Sequence, residues 1–424
     1  MNQSIRVRHT QSNKVQSVVS LGRPCRAMPW WRCGAGLAAA LLLAGCAAQS
    51  PLGYYWQAAA GQVRLLAAAR PVEQAAQDPQ LPPALRQRLA RTQQIRSFAS
   101  QQLHLPDNAS YRRYADLGRN SAVWNVVAAP VDALELHRWC YPVLGCVGYR
   151  GYFAEADAQQ HATQLRQQGL EVHVYGVPAY STLGWFNWLG GDPLLNTFIR
   201  WSEPELAGLL FHELAHQLLY VQDDTAFNES FATAVQRLGT QQWLATQAAP
   251  ALQAAFAAAE LRRQQWRDLT RSTRAALAQL YADHALSPLT ADALQARKQA
   301  VLTDFRQRYA QLRAGWQQEW QAVLAQRAAA IPPATAPTTP PADPWALTDA
   351  WVAQANNASF AALGAYEDWV PAFEAMHQQA GGSWPRFYDA VRALARQPAA
   401  QRQAALCAAL PSTSPLPDCV RHPD

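Results

Sequence analysis

An α+β fold, mainly helical, with a small mixed sheet followed by a helical C-terminal half, is what this chain of 424 residues predicts. Three observations carry that expectation. Residues 123–127, 147–153 and 171–177 are rich in β-branched and aromatic side chains and read as strands, with a helix near residues 156–168 between the last two. Ser202-Glu203-Pro204-Glu205 then supplies an N-cap serine, a first-turn proline and the glutamate of a capping box, so a helix starts there. Beyond Gly239 the pattern is almost wholly helical, and 16 Trp and 12 Phe with abundant Leu suffice to bury a large core.

In chain order, residues 1–45 form a signal region. The apolar run over residues 37–45 ends in Leu43-Ala44-Gly45-Cys46, is too short to span a bilayer, and is similar to a bacterial lipoprotein signal whose lipidated cysteine would be Cys46. Met28, followed by Pro-Trp-Trp-Arg, is the better start for such a signal. Ala47 after the cysteine implies a lipid-anchored protein of the outer membrane facing the periplasm; an uncleaved anchor is the alternative. Residues 1–45 hold five Arg, one Lys and no acid, which accounts for the whole net charge of +6. The remainder is neutral, so no nucleic-acid partner is expected, and nothing indicates a preference for strongly charged peptides.

Residues 46–120 read as an N-terminal helical segment, with helices over about 54–69 and 83–103 separated by proline-containing loops. Residues 121–240 hold the sheet and the capped helix. Over 241–331 a helical hairpin is predicted, since Leu302, Phe305, Tyr309, Leu312 and Trp316 recur at steps of three and four. Its stripe reads as core in preference to a partner-binding surface. Residues 332–343 are a proline-rich loop, and 344–424 a C-terminal helical segment broken at Gly381-Gly382. Of seven cysteines, Cys25 and Cys33 fall in the signal region. Cys140 with Cys146, and Cys407 with Cys419, make the simplest pairing into two local disulfides, as an oxidising compartment allows.

The capped helix carries the chemistry. His212-Glu213-Leu214-Ala215-His216 places two imidazoles four residues apart on one helical face, where they can grip one metal ion, with Glu213 beside its bound water. Catalytic zinc takes three protein ligands and keeps a fourth position for water, and Glu229 is the candidate third ligand. A helix continuing to about Val221 travels about 7 Å past His216, and a second helix begun by Asp224 or Thr225 returns about 6 Å by Glu229. The two distances match in an antiparallel pair.

HELAH (212–216) with NESFA (228–232) resembles the gluzincin metallopeptidases, whose third ligand is a glutamate on a second helix, often within N-E-x-F-A. The chain is still more similar to a family of bacterial lipoproteins described as zinc-dependent aminopeptidases, through VPAYSTLGWF (177–186), FHELAHQ and DDTAFNESFAT. That resemblance spans nearly the whole mature chain and implies a zincin-like fold, zinc held by His212, His216 and Glu229, Glu213 as catalytic base, and a peptide substrate. The twelve residues between His216 and Glu229 are fewer than in the larger gluzincin aminopeptidases. Related enzymes stabilise the oxyanion with a tyrosine or histidine, and Tyr180 and Tyr366 are the candidates; a buried structural role is the alternative for each. The zincin arrangement also makes residues 172–180 the edge strand along the cleft. No G-x-M-E-N strand is found for capture of a free N-terminus; Glu171, Asp192, Glu203 and Glu205 are the nearby acids. An endopeptidase, or an envelope lipoprotein that binds peptides without turnover, is the alternative function.

Overall fold

The computed structural model describes residues 51–141, 145–179, 190–247, 250–329, 343–367 and 369–410. The chain divides into a leading unit, Met1–Tyr54, of which only the first helical turn is described, and a main unit, Tyr55–Asp424. Helix α1 (Pro51–Ala67) opens the described chain, followed by β1 (Arg70–Pro71), α2 (Val72–Gln77) and α3 (Pro83–Gln101). Pro83 fits the first turn of α3, where no amide donor is missed.

The central sheet holds the strands predicted near 123–127 and 171–177, whereas residues 147–153, read as one strand, divide between a hairpin strand that ends at Val147 and a sheet strand over Arg150–Tyr152. Strand β2 (Arg113–Ala115) precedes it, and β3 (Val123–Ala129) forms its middle. A two-stranded hairpin, β4 (Trp139–Tyr141) and β5 (Gly145–Val147), comes next, joined by the Cys140–Cys146 disulfide. Strand β6 (Arg150–Tyr152) then pairs antiparallel with β3, and after α4 (Glu155–Gln167) strand β7 (Glu171–Val177) pairs antiparallel on its other side, from Val123 opposite Val177 to Ala129 opposite Glu171. Every residue of β3 except Trp124 is buried, because α4 packs on the sheet and a late helix, α10 below, also lies against it. That explains a strand with no polar alternation. A second, small sheet was not legible in the sequence: β2 sits between β1 and β8 (Leu194–Leu195), antiparallel to the first and parallel to the second.

The rest is helical: α5 (Glu203–Leu218), α6 (Thr225–Gln247), α7 (Pro250–Leu286), α8 (Ala291–Ala329), α9 (Ala346–Gln354), α10 (Asn357–Glu367), α11 (Val370–Gln379), α12 (Trp384–Ala395) and α13 (Ala399–Ala409). Helices α7 and α8, 37 and 39 residues long, are each about 55 Å in length at 1.5 Å per residue. Leu302, Phe305, Tyr309 and Trp316 are buried between them and against Val352 and Phe360 of α9 and α10, so the predicted stripe is core. Gly381 and Gly382, at φ 67 and 73, end α11 in the left-handed region that favours glycine. The proline-rich loop falls almost entirely outside the described residues, as do Cys46 and Cys419; Cys407 is disulfide-bonded.

Helix α10 holds the layers together. Its Ala358 and Ala362 pack against Val127 and Ala129 of β3, and it also lies against α6. The small side chains allow that approach. A buried polar knot fixes its start: Lys298 of α8, 1 % exposed, donates to Glu171 Oε1 at 2.5 Å and to the Val131 carbonyl at 3.1 Å, while the Asn357 amide donates to Glu171 Oε2 at 2.7 Å. Tyr281 of α7 donates to Asn357 Oδ1 at 2.7 Å. Breaking a buried pair from one side leaves the other charge uncompensated. Glu171→Ala is therefore expected to lower stability by about 3–5 kcal/mol in urea unfolding, with Lys298→Met costing less and the double variant recovering part of the loss.

Candidate metal centre

Helix α5 begins as its sequence dictates. Glu205 Oε2 accepts from the Ser202 amide at 3.2 Å and its hydroxyl at 2.7 Å, completing the capping box, and Pro204 occupies the first turn. Leu206, Leu210, Phe211 and Leu214 are fully buried against Phe227, Phe231, Ala232 and Val235 of α6. That packing turns His212, Glu213 and His216 toward one side of the helix pair.

The helix stops at Leu218, three residues short of the predicted Val221, and the return begins at Thr225. Three braces set the turn. Asn228 Oδ1 accepts from the Val221 amide and Asn228 Nδ2 donates to its carbonyl, both at 2.7 Å. Asp224 Oδ1 accepts from the Phe227 amide at 3.1 Å, the predicted cap, while Oδ2 takes the Arg402 Nε and Nη2 donors at 2.9 and 2.6 Å. Asp223, at φ 64, turns its Oδ1 to the Cys146 amide at 2.6 Å. Gly145 is required beside it, since a Cβ there would lie 2.3 Å from that oxygen.

Glu229 is thereby level with the histidines. His212 Nε2 lies 3.3 Å and His216 Nε2 3.5 Å from Glu229 Oε2, and the two nitrogens are 3.1 Å apart. A tetrahedral ion with bonds of about 2.0–2.1 Å requires ligand separations of about 3.3–3.4 Å. The three distances straddle that value, and the donor set of two imidazoles and a carboxylate suits a borderline metal with its fourth position open. Nδ1 of both histidines is buried without a hydrogen-bond partner, and it is the two Nε2 atoms that converge on Glu229. Burial disfavours charge on His216, yet the Glu229 carboxylate beside it raises its pKa above the usual value. For Glu229 burial pushes upward, and His216 with His212 pulls its carboxyl far below the usual range.

Glu213 faces a polar network that the sequence did not reveal. One turn on, Gln217 Oε1 accepts from Asn108 Nδ2 at 2.7 Å, and its Nε2 donates to Ser110 Oγ at 3.1 Å and Asp192 Oδ2 at 3.4 Å. The next residue, Tyr111, is 2 % exposed at φ 64, with its amide donating to the Asp192 carbonyl at 2.6 Å. Burial pushes the Tyr111 phenol well up, and the Glu213 and Asp192 carboxylates push the same way, so it stays protonated near the base. Tyr220, in the turn, is raised by burial and by Glu229. Of the predicted tyrosines, Tyr180 lies outside the described residues; Tyr366 is on α10, against the Glu229 helix, with its side chain outside the description. Short loops and unusual backbone angles place Tyr111, and no residue pattern announces them.

The predicted acids are engaged in the fold. Glu171 pairs with Lys298, Glu205 caps α5, and Glu203 takes Arg91 through two bonds of 2.8 and 2.9 Å and the Trp243 indole at 3.1 Å. Strand β7 is an edge strand, with the Val172 carbonyl already accepting from Asn356 at 3.1 Å. Between it and the Glu229 helix lies α10, which packs against both.

Comparison with curated proteins and with solved structures returned no match. A family model, in contrast, covers residues 53–406, from α1 to α13 and across both helices of the metal centre, under the description "Putative aminopeptidase". This chain belongs to that family.

Proposed function

We propose that the protein is a zinc-dependent peptidase, with His212, His216 and Glu229 as ligands and Glu213 as base, and that its family points to removal of N-terminal residues. The observation that carries this reading is the convergence of two Nε2 atoms and one carboxylate oxygen at 3.1, 3.3 and 3.5 Å, with a carboxylate one residue from a ligand. When bound, zinc would polarise the scissile carbonyl and lower the pKa of its water to about 7. In this reading Glu213 takes the proton of the attacking water on its carboxylate and passes it to the leaving amine nitrogen. A site with only a structural role has no use for that base. Gln217 and its partners hold the Glu213 face of α5 in position, and Asn228 and Asp224 hold Glu229 to the histidines.

The same reading places the chain in the bacterial envelope, lipidated on Cys46, with peptides as substrates. The Cys140–Cys146 disulfide supports an oxidising compartment. No helix among the described residues is long and apolar enough to cross a membrane.

Metal analysis of the purified protein should find about one zinc per chain. Glu213→Gln should keep the metal and lose at least 100-fold in kcat, in the range of a missing general base; full activity in a metal-loaded variant would refute the mechanism. Glu229→Ala should lose the ion outright, whereas Asn228→Ala, which frees only the turn, should weaken zinc affinity about 10–100-fold, as loss of a supporting hydrogen bond does. Cleavage of free against N-blocked peptides separates the exopeptidase from an endopeptidase: N-blocking should abolish cleavage, and cuts at internal bonds of blocked peptides would remove the aminopeptidase assignment.

A further inference from the structure

The turn between His216 and Glu229 is met by an element that belongs to neither larger sheet. Among the described residues, strands β4 and β5 form a two-stranded sheet of their own, with Trp139 opposite Val147, Cys140 opposite Cys146 and Tyr141 opposite Gly145. A two-stranded hairpin is marginally stable by itself in water. The Cys140–Cys146 disulfide closes this one across its middle pair, and such a cross-link removes open forms from those the segment can visit. Cys140 is exposed, so the bridge lies within reach of a solute.

Residues 145 and 146 rest on the turn. The Cys146 amide donates to Asp223 Oδ1 at 2.6 Å, and a Cβ on Gly145 would lie 2.3 Å from that oxygen and 3.0 Å from Gln222 Cγ. Among the described residues that amide is the one hydrogen-bond partner of Asp223. Asp223 is at φ 64, and a residue with a Cβ keeps such a conformation where its surroundings hold it there. The other ties act elsewhere: Asn228 binds Val221 through two bonds of 2.7 Å, and Asp224 meets Arg402 of α13. Glu229 follows Asn228 directly, and its Oε2 sits 3.3 and 3.5 Å from the two Nε2 atoms. Metal–ligand distances tolerate shifts of only about 0.2 Å, so affinity is sensitive to anything that lets the turn move.

We infer that the Cys140–Cys146 disulfide positions the turn that leads to Glu229, so that opening the bridge with a dithiol loosens the turn and lowers the affinity of the centre for its ion. With the bridge closed, the hairpin presents the Cys146 amide to Asp223 and the turn holds its shape. With it open, the hairpin loses that shape and Asp223 its partner. The exchange balances through the reductant. One thiolate of the dithiol attacks a sulfur of the bridge, forming a mixed disulfide and releasing one protein thiolate; its second thiolate then displaces the other. The reductant leaves as a cyclic disulfide, and Cys140 and Cys146 together gain two electrons and two protons. The metal centre becomes sensitive to the redox state of its surroundings without a cysteine among its ligands. Zinc as the ion affected rests on the reading of the centre given above.

Zinc affinity of the full chain is measured by competition with a chromophoric chelator, in the oxidised protein and after reduction with a phosphine that is then removed under nitrogen. Cys407 is disulfide-bonded too, on the helix that carries Arg402, so Cys140→Ser with Cys146→Ser isolates the hairpin bridge. Reduction should weaken zinc binding about tenfold or more, and the double serine variant should show the weaker affinity without reductant. Asp223→Gly, whose glycine takes the positive φ freely, should bind zinc as weakly, and adding the two serines to it should change affinity by no more than about twofold. Asp223→Asn keeps an acceptor and should retain both the affinity and its dependence on the bridge. Hydrogen exchange over residues 219–228 of the metal-free protein gives a readout that needs no zinc, and the double serine variant should exchange there about tenfold faster. If no form binds zinc, the metal reading falls and exchange alone decides: the faster exchange upholds the coupling of bridge to turn, and equal exchange overturns it. Where zinc binds, equal affinity of wild type and the double serine variant overturns the inference, as does an equal loss on adding the serines to wild type and to Asp223→Gly.

Discussion

The structure depends on holding one largely shielded carboxylate, that of Glu229, 16 % exposed, against two imidazoles on the neighbouring helix. An ionised group so far removed from water is stabilised by cationic partners, so the α5–α6 pair must hold its register. Packing supplies part of that precision. Leu206, Leu210, Phe211 and Leu214 interlock with Phe227, Phe231 and Val235, all essentially without exposure. Gly208 lets the helices approach, since a Cβ at that position would lie 3.1 Å from Thr240 Oγ1 and 3.2 Å from Gln236 Cγ.

Register along the axis comes from the turn, and the turn is held by one local bond and from two remote parts of the chain. Asn228 ties Val221 locally, Asp224 meets Arg402 of α13, and Asp223 meets the disulfide-closed β4–β5 hairpin at Cys146. The two cysteine-bearing regions of the described chain therefore converge on the segment between His216 and Glu229. In this fold they brace the turn that brings Glu229 to the histidines. One turn beyond Glu213 on α5, Gln217 draws in Asn108, Ser110 and Asp192, so that the proposed base and the proposed ligands are each supported by their own network.

Helix α10 explains how the late part of the chain belongs to the same body. It is packed on the sheet through Ala358 and Ala362, on α6, and on the long hairpin through Phe360. The hairpin in turn contributes Phe256, Glu260, Arg263 and Arg267 to a cavity beside His212. Helix α7, which reads as part of a structural extension in sequence, thus furnishes four of the residues that line a space next to the proposed reaction centre.

What was legible in the sequence was local. The capping box at Ser202, the four-residue histidine spacing, the strands at 123–127 and 171–177, the glycine break at 381–382 and the buried stripe of α8 each follow from interactions within a few residues, where backbone geometry and periodicity set the answer. The return of a second helix to Glu229 was readable, but the match of helix lengths was not: α5 ends at Leu218 instead of Val221, and the hydrogen-bonded turn at Val221–Asn228 makes up the register. Tertiary structure alone decided the rest: the second sheet through β8, the place of α10 between the sheet and α6, the partners of Asp223 and Asp224, the neutral Tyr111 near Glu213, and the arginine-lined cavity. Each brings together residues tens to hundreds of positions apart. Their meeting is set by how whole elements pack, a free energy summed over the core, and no spacing within one segment carries it.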